Sequence, residues 1–244
     1  MLSFIKVIFI SFILLPLPAL AGSDADGRVI AEGGRLYDKW WAEYDLKKPS
    51  TTHPAYPGIA KQKGANTWRC KECHGWDYRG REGAYSKGSH FTGIRGITAY
   101  AGRETGEIMA ILKNKVHRYD EVMLDYGLLR IALFVSKGQF DIGPYLNGKT
   151  KKVSGDIRRG KSIFKKYCVD CHGRDGRERN FKDKHKPEYV GTVANKNPWE
   201  AMHKIRNGHP DAFVMGDPMP NMLSLIGAQV QVDLLAYMQT LPKK

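Results

Sequence analysis

Two copies of the pattern Cys-x-x-Cys-His constrain this chain more than any other feature. They stand at residues 70–74 and 168–172, and together they use all four cysteines of the 244-residue sequence. In each copy, two thiols three positions apart can each form a thioether with a vinyl group of a porphyrin, and the following histidine can bind the iron. The sequence therefore predicts two haem c groups. The residues predicted to hold them are Cys70, Cys73, His74, Cys168, Cys171 and His172.

Zinc ribbons and thioredoxin-type redox centres also use paired cysteines. The two pairs of a zinc ribbon usually lie about 15 to 20 residues apart and need no histidine directly after them. Here 94 residues separate Cys73 from Cys168. A thioredoxin-type motif lies in a βαβ context, and neither copy is near an alternating, β-rich run. Both alternatives are therefore less favoured than covalent haem attachment.

The N-terminus carries the pattern of a secretory signal. Lys6 precedes an apolar run, and Ala19-Leu20-Ala21 follows it. This order predicts a cleavable signal peptide at residues 1–21 and export to the periplasm. The apolar run has about fifteen residues, fewer than the roughly 20 that a spanning helix needs, so no stable membrane span is expected.

Basic residues outnumber acidic ones. After removal of residues 1–21, 38 Lys and Arg side chains against 25 Asp and Glu side chains leave a formal charge of +13. A positive surface favours acidic partner proteins. Nucleic acid is the competing interpretation of such basicity, but the sequence contains no nucleic-acid-binding motif, so no nucleic-acid partner is expected.

The duplicated motif predicts two domains. We place the first at residues 22–140, with an insertion of about 25 residues before Cys70, a linker at residues 141–154, and the second domain at residues 155–244. Apolar residues at helical spacing predict an opening helix from Arg28, with its counterpart at residues 156–167. In this comparison Gly34 matches Gly160.

Further elements complete each predicted domain. The glycine-rich segments 75–102 and 173–191 are predicted to be loops that wrap the haems. The predicted short helices cover residues 105–113 and 198–206, and the predicted closing helices cover residues 128–135 and 230–241.

The order of helix, haem motif, loop, short helix, methionine and closing helix resembles a class I c-type cytochrome domain, present twice. The chain as a whole resembles a periplasmic dihaem cytochrome c. The resemblance is strongest where NPWEAMHKIRNG, MP and VDLLAYMQTL stand in the family's order. It is looser in the first domain, where KVHRYDEVMLDYGLLRIALFVSKG is similar to a subgroup of these dihaem proteins. It implies an all-α fold of two cytochrome c-like domains, each wrapped around one covalently attached haem.

The resemblance also implies a methionine as the sixth ligand of each iron. For the second haem we predict Met219, because it precedes Pro220 and lies 18 residues before Tyr237; Met222 and Met215 are the other candidates. For the first haem we predict Met123.

Histidine is the other candidate ligand at the first haem, where His90 and His117 lie between the motif and the closing helix. The family's proline after the motif, whose carbonyl orients the proximal imidazole, is absent from residues 75–143. Pro187 is a candidate for that role at the second haem.

These features predict an electron-transfer protein that passes single electrons between periplasmic redox partners, with no catalytic residues of its own. The expected partners are acidic redox proteins, namely a donor dehydrogenase and a terminal oxidase or reductase. The alternatives are an enzyme that oxidises a small sulfur compound, a peroxidase, or a haem subunit of a larger oxidoreductase. Known thiosulfate-oxidising dihaem enzymes resemble this layout but use a cysteine ligand, and no cysteine remains for that purpose here.

Overall fold

The computed structural model describes residues 24–210 and 219–244, and over these ranges the chain is helical, with two isolated β-bridges and no strand. The helices are α1 (Asp24–Glu43), α2 (Cys70–His74), α3 (Thr105–Leu112), α4 (Asp125–Leu133), α5 (Ile157–Tyr167), α6 (Val169–His172), α7 (Val190–Lys196), α8 (Pro198–Asn207) and α9 (Ala228–Met238). The predicted signal peptide and Met215 lie outside the described residues. No helix within the described ranges is long and apolar enough to cross a membrane.

The helices enclose two hydrophobic cores, one in each half of the chain. In the first core α1 packs against α4, and in the second α5 packs against α9. Large side chains that are almost completely buried fill the first core, among them Leu36, Trp40, Leu128 and Phe134. The second core is built in the same way around Phe164, Ile205, Leu234 and Leu235.

A glycine lies at the crossing of the first and last helices in each half. A Cβ built on Gly33 would lie 2.8 Å from the Cβ of Phe134, and one built on Gly160 would lie 2.8 Å from the Cβ of Tyr237. A Cβ atom cannot lie this close to another Cβ atom. Glycine, which has no Cβ, therefore allows the two helices of each pair to pack closely. The residue equivalent to Gly160 is therefore Gly33 and not Gly34 as the sequence comparison predicted. The prediction was wrong by one position. Gly33 and Gly34 fit the sequence pattern equally well, but adjacent residues lie on different faces of a helix.

Capping residues explain where the helices of the second half begin. The carboxylate of Asp156 accepts hydrogen bonds from the backbone N–H groups of Arg158 and Arg159, at 2.9 and 3.0 Å. Asn197 caps α8 in the same way, and Pro198 occupies its first turn, where a missing N–H has no cost. The predicted starts of both helices are therefore confirmed.

Other helix boundaries differ from the prediction. Helix α1 begins at Asp24, four residues early, and its helical geometry is interrupted at Lys39 (φ −161°). Helix α4 begins at Asp125 and passes into a wider turn after Leu133. Helix α7 was not predicted, because its sequence VGTVANK is short and has no strong helical periodicity.

The predicted linker packs against the second core. Ile142 is 1% exposed and belongs to that core. Leu146 and Val153 form an antiparallel bridge, and the backbone N–H of Val153 donates to the side-chain carbonyl of Gln239 at 2.9 Å. This segment is therefore an ordered turn on the second half of the molecule.

Helix α1 of the first half also packs against α8 of the second half, with His203 at the centre of the contact. This side chain is buried, its Nε2 donates to the backbone carbonyl of Gly34 at 2.9 Å, and its Nδ1 accepts from the hydroxyl of Tyr78 at 2.9 Å. Burial lowers the pKa of His203 to about 3. The neutral ring is the form that can both donate and accept.

A buried carboxylate forms an ion pair across the same contact. Asp38 of α1 binds Lys204 of α8 and also Arg69, the residue directly before α2. Burial favours the neutral acid, but the two cations outweigh it and hold the pKa of Asp38 well below its usual range. The two halves therefore meet through a polar contact that requires the charged form of Asp38.

Candidate haem sites

The second Cys-x-x-Cys-His motif lies at the wall of a deep cavity. Helix α5 delivers Cys168 directly to the short helix α6, which ends at Gly173 with φ +74°. The cavity has a volume of about 620 Å³, within the usual range for small-molecule sites. Its apolar lining comes from α5, α7, α8 and α9. The lining includes Phe164, Tyr167, Val190, Val193, Ala201, Ile205, Leu234 and Met238.

The residues around this cavity fit a covalently attached haem. Cys168, Cys171 and His172 all border it. The Nδ1 atom of His172 is buried and has no hydrogen-bond partner among the residues that the structure describes. Burial raises the pKa of the Cys168 thiol to about 12, so a neutral thiol or thioether suits this position better than a thiolate.

The candidate proline carbonyl does not support the second histidine. Because Nδ1 of His172 has no partner among the described residues, which include Pro187, the Pro187 carbonyl does not hold this ring. Burial, with a smaller effect of nearby Arg179, lowers the pKa of His172. The ring is therefore neutral at ordinary pH, as metal ligation requires.

Two of the predicted methionines lie at the same cavity as His172. Met219, Pro220 and Met222 all border it. Met222 is the more deeply buried of the two methionines, with 3% exposure, and its backbone N–H donates to the carbonyl of Ile205 at 2.9 Å. The structure thus brings the histidine and both candidate thioethers to one site.

Comparison with protein families gives a match in the second half of the chain. Residues 155–238 match the model described as cytochrome C oxidase, cbb3-type, subunit III. This segment is a c-type cytochrome domain. Such a domain holds covalently bound haem c and transfers electrons, and its matched range includes the motif at residues 168–172. No curated protein and no solved structure matches the chain.

The motif in the first half has the local geometry of the motif in this cytochrome domain. The N–H of Gly75 donates to the carbonyl of Lys71 at 2.9 Å, and the N–H of Gly173 donates to that of Val169 at 2.8 Å. Gly75 has φ +79°, close to the +74° of Gly173. Both values lie in the region that favours glycine, so each motif ends in the same turn.

Of the two cysteines of the first motif, Cys70 is buried and Cys73 is partly buried. Burial raises the pKa of the Cys70 thiol to about 11 and that of the Cys73 thiol to about 12. The hydroxyl of Tyr119 lies 4.0 Å from the Cys70 sulfur. Neutral sulfurs are therefore favoured at Cys70, Cys73 and Cys168.

A backbone carbonyl orients the first histidine. The Nδ1–H of His74 donates to the carbonyl oxygen of Arg95 at 2.8 Å. An isolated antiparallel bridge between Gly80 and Arg95 fixes that carbonyl. Metal-binding histidines commonly donate their second ring N–H in this way. Sequence reasoning looked for a proline here and missed Arg95, because a backbone acceptor leaves no side-chain signature.

Two candidate sixth ligands of the first haem, Met123 and His90, contact residues other than His74. Met123 borders a separate cavity of about 560 Å³, formed by its own loop with Tyr44 and Gly127, and none of the three residues predicted to hold the first haem lines it. The Nδ1 of His90 pairs with the buried carboxylate of Glu72 at 2.9 Å. The structure therefore gives each of these side chains a contact other than His74.

The remaining candidate, His117, faces His74. The two ring centres are 6.3 Å apart and the ring planes differ by 21°. The Nδ1 of His117 lies 3.3 Å from the side-chain oxygen of Asn114, which also accepts the His117 backbone N–H at 3.0 Å. Burial, followed by the nearby charge of His74, lowers the pKa of His117 to about 4. This ring too is therefore neutral.

The inserted segment before Cys70 holds the backbone of His117. In that segment the Nε2–H of His53 donates to the carbonyl of His117 at 3.0 Å. The His53 ring packs edge-on against Trp68 with centres 4.4 Å apart. The hydroxyl of Tyr119 donates to the carbonyl of Trp68 at 2.7 Å. The insertion thus fixes residues 117–119 on the side of the first motif.

The start of the first motif lies near the cavity of the second motif. Arg69, directly before Cys70, borders the cavity of the second motif, together with Lys204 and Glu200 of α8. The ion pairs of Asp38 hold Arg69 and Lys204 in place. Sequence reasoning did not predict this contact, because it joins residues more than 100 positions apart.

Proposed function

We propose that this protein is a dihaem electron-transfer protein of the periplasm, which carries single electrons between a donor dehydrogenase and a terminal oxidase or reductase. The main observation in support is that the two motifs share their local geometry and that the start of the first lies beside the cavity of the second. The residue before the first motif borders the cavity of the second. Two redox centres placed in this way allow an electron to pass within one molecule.

The proposed domains are residues 22–140 and 155–244, joined by residues 141–154. The shared helix crossing at Gly33 and Gly160 supports a duplicated domain, since the second half already matches a cytochrome family. A separate hydrophobic core in each half is consistent with this division.

In this proposal the chain attaches, buries and ligates two haem c groups. Cys70 and Cys73 form thioethers in the first domain, and Cys168 and Cys171 do so in the second. The iron of a bound haem supplies one-electron chemistry. His172 and Met219, which border one cavity, would hold the second iron, and the neutral thioether would favour its reduced state.

A basic surface around the second motif is the proposed docking face for an acidic partner. Exposed cations project from α5 and from the loop that follows α6; they include Arg158, Lys161, Lys165, Lys166, Arg174, Lys184 and Lys186. The ring of Phe181 in this loop lies 5.9 Å from that of His172 and is 45% exposed. An apolar group within a positive surface suits the brief contacts of redox partners, which charge steers and salt weakens.

Oxidation of the reduced protein by small redox probes of opposite charge tests this face. Anionic ferricyanide should react more slowly as salt rises, whereas a cationic cobalt(III) phenanthroline complex should react faster. Lys165→Glu should slow the ferricyanide reaction severalfold at low salt. Lys149→Glu is the matched control and should have little effect, because Lys149 lies on the exposed turn between the domains.

An equal salt dependence for the two probes would contradict the proposed docking face. Rapid turnover of peroxide or thiosulfate by the same preparation would contradict the carrier function and favour an enzyme.

A further inference from the structure

We propose that His117 is the sixth ligand of the first haem, so that this iron has two imidazole ligands while the second has an imidazole and a thioether. The inference rests on the proposed attachment of a haem at Cys70 and Cys73, and it replaces Met123 as the expected ligand.

The relative position of the two rings is the main evidence. An imidazole nitrogen binds a metal ion at about 2 Å, so two imidazoles on opposite sides of one iron have ring centres about 6 Å apart. The centres of His74 and His117 are 6.3 Å apart. The observed separation lies at the wide end of the range of about 4.5 to 7 Å for packed aromatic rings. It suits two rings that share a metal ion.

Both imidazole rings are held so that Nε2 is available to bind a metal. The Nδ1 of His74 is bound to the carbonyl of Arg95, and the Nδ1 of His117 lies beside the side-chain oxygen of Asn114. The contact with Arg95 places the proton of His74 on Nδ1. The contact with Asn114 favours the same tautomer in His117, whose ring also bonds the backbone carbonyl of Ile111. In this tautomer Nε2 is the metal-binding atom.

The inserted segment explains why His117 is positioned on this side. His53 donates to the carbonyl of His117, and its own ring is fixed by Trp68. His53 is buried, with its Nδ1 accepting from the N–H of Ala55 at 3.1 Å. A buried histidine with both nitrogens bonded acts as a structural support. The insertion that sets the first domain apart thus supports the proposed ligand.

The ligand difference predicts different reduction potentials. A thioether ligand raises the potential of a haem relative to a second imidazole. The first haem should therefore have the lower potential, and a redox titration should resolve two separate one-electron steps.

Spectroscopy of the unmodified ferric protein gives the most direct test. A methionine-ligated ferric haem has a near-infrared charge-transfer band, and a bis-histidine haem lacks it. We expect this band at half the intensity that two methionine-ligated haems would give. Met219→Leu should remove it completely, while Met123→Leu should leave it unchanged. A band of full intensity, or one halved by Met123→Leu, would overturn the proposal.

Carbon monoxide binding provides an independent readout. His117→Ala should open the first iron, so the reduced variant should bind one carbon monoxide per chain where the unmodified protein binds almost none. His90→Ala is the matched control, since His90 lies in the same domain and pairs with Glu72. Unchanged carbon monoxide binding in His117→Ala, with both haems retained, would contradict ligation by His117.

The haem count separates this proposal from the proposed function. A protein with two haems but two methionine bands contradicts only the ligand assignment. A protein with a single haem, attached in the second domain, contradicts the dihaem function itself.

Discussion

Asp38 places a buried negative charge at the contact between α1 and α8. Its carboxylate is 1% exposed and binds both Lys204 and Arg69, which are themselves less than one-fifth exposed. Because Arg69 precedes Cys70 and borders the second cavity, the charge of Asp38 also connects the two motifs. Loss of this charge would leave two partly buried cations without their partner, which is costly.

Asp38→Asn should therefore lower the free energy of unfolding at pH 7 by about 3 kcal/mol, the lower end of the cost of breaking a buried ion pair. The pKa of Asp38 is depressed in the folded state, so the charge contributes its full stability above the unfolded pKa of about 3.9. This contribution is lost as the pH falls through the folded pKa.

Urea unfolding of both proteins from pH 7 down to pH 3 measures the effect. The difference between them should be constant at neutral pH and shrink below about pH 4. Asp26→Asn is the control, because Asp26 lies on the same helix and is exposed. A difference that does not change with pH would show that the carboxylate charge is not the stabilising factor.

At the scale of elements, the crossing of the first and last helices determines the shape of each half. A Cβ on Gly33 would overlap the backbone carbonyl of Arg130, and one on Gly160 would overlap that of Asp233. Backbone atoms cannot move aside as a flexible side chain can, so the helices would have to separate.

Gly33→Ala and Gly160→Ala should each lower the free energy of unfolding by about 1 to 3 kcal/mol, the usual cost of overpacking. Gly106→Ala is the matched control, because Gly106 is also helical but has open space where its Cβ would lie. It should not lower stability, since alanine favours a helix over glycine. Urea titration followed by circular dichroism measures all three. Equal stability of Gly33→Ala and Gly106→Ala would contradict the close crossing.

The sequence predicted the elements whose signals are local. Periodic apolar residues and the cap at Asp156 located α5, and the proline at the start of α8 located that helix. The haem motifs could be recognised because covalent haem attachment requires two cysteines at a fixed spacing. Features that depend on long-range packing were not predicted: the choice of Gly33 over Gly34, the carbonyl of Arg95 as acceptor, and the facing rings of His74 and His117. None of these has a signature within a short window of sequence.

At the scale of the whole molecule, two cores are joined through α1 and α8, with one motif in each half. His203 joins the halves by accepting from Tyr78 and donating to Gly34. The inserted segment, absent from the second half, holds the backbone carbonyl of His117 through His53. The molecule thus combines two similar units that differ by the inserted segment before Cys70. This segment accounts for the proposed use of His117 in place of a methionine as ligand of the first iron.

The central claim is that both motifs carry a covalently attached haem. Intact-mass measurement of the protein, purified from a host that attaches haem to exported cytochromes, tests it most directly. The mass should equal the polypeptide that begins at residue 22 plus two haems, and an alkylating reagent should find no free thiol after denaturation, because the two motifs use all four cysteines. A mass with one haem, or with zinc in place of haem, or two alkylated cysteines per chain, would contradict the account.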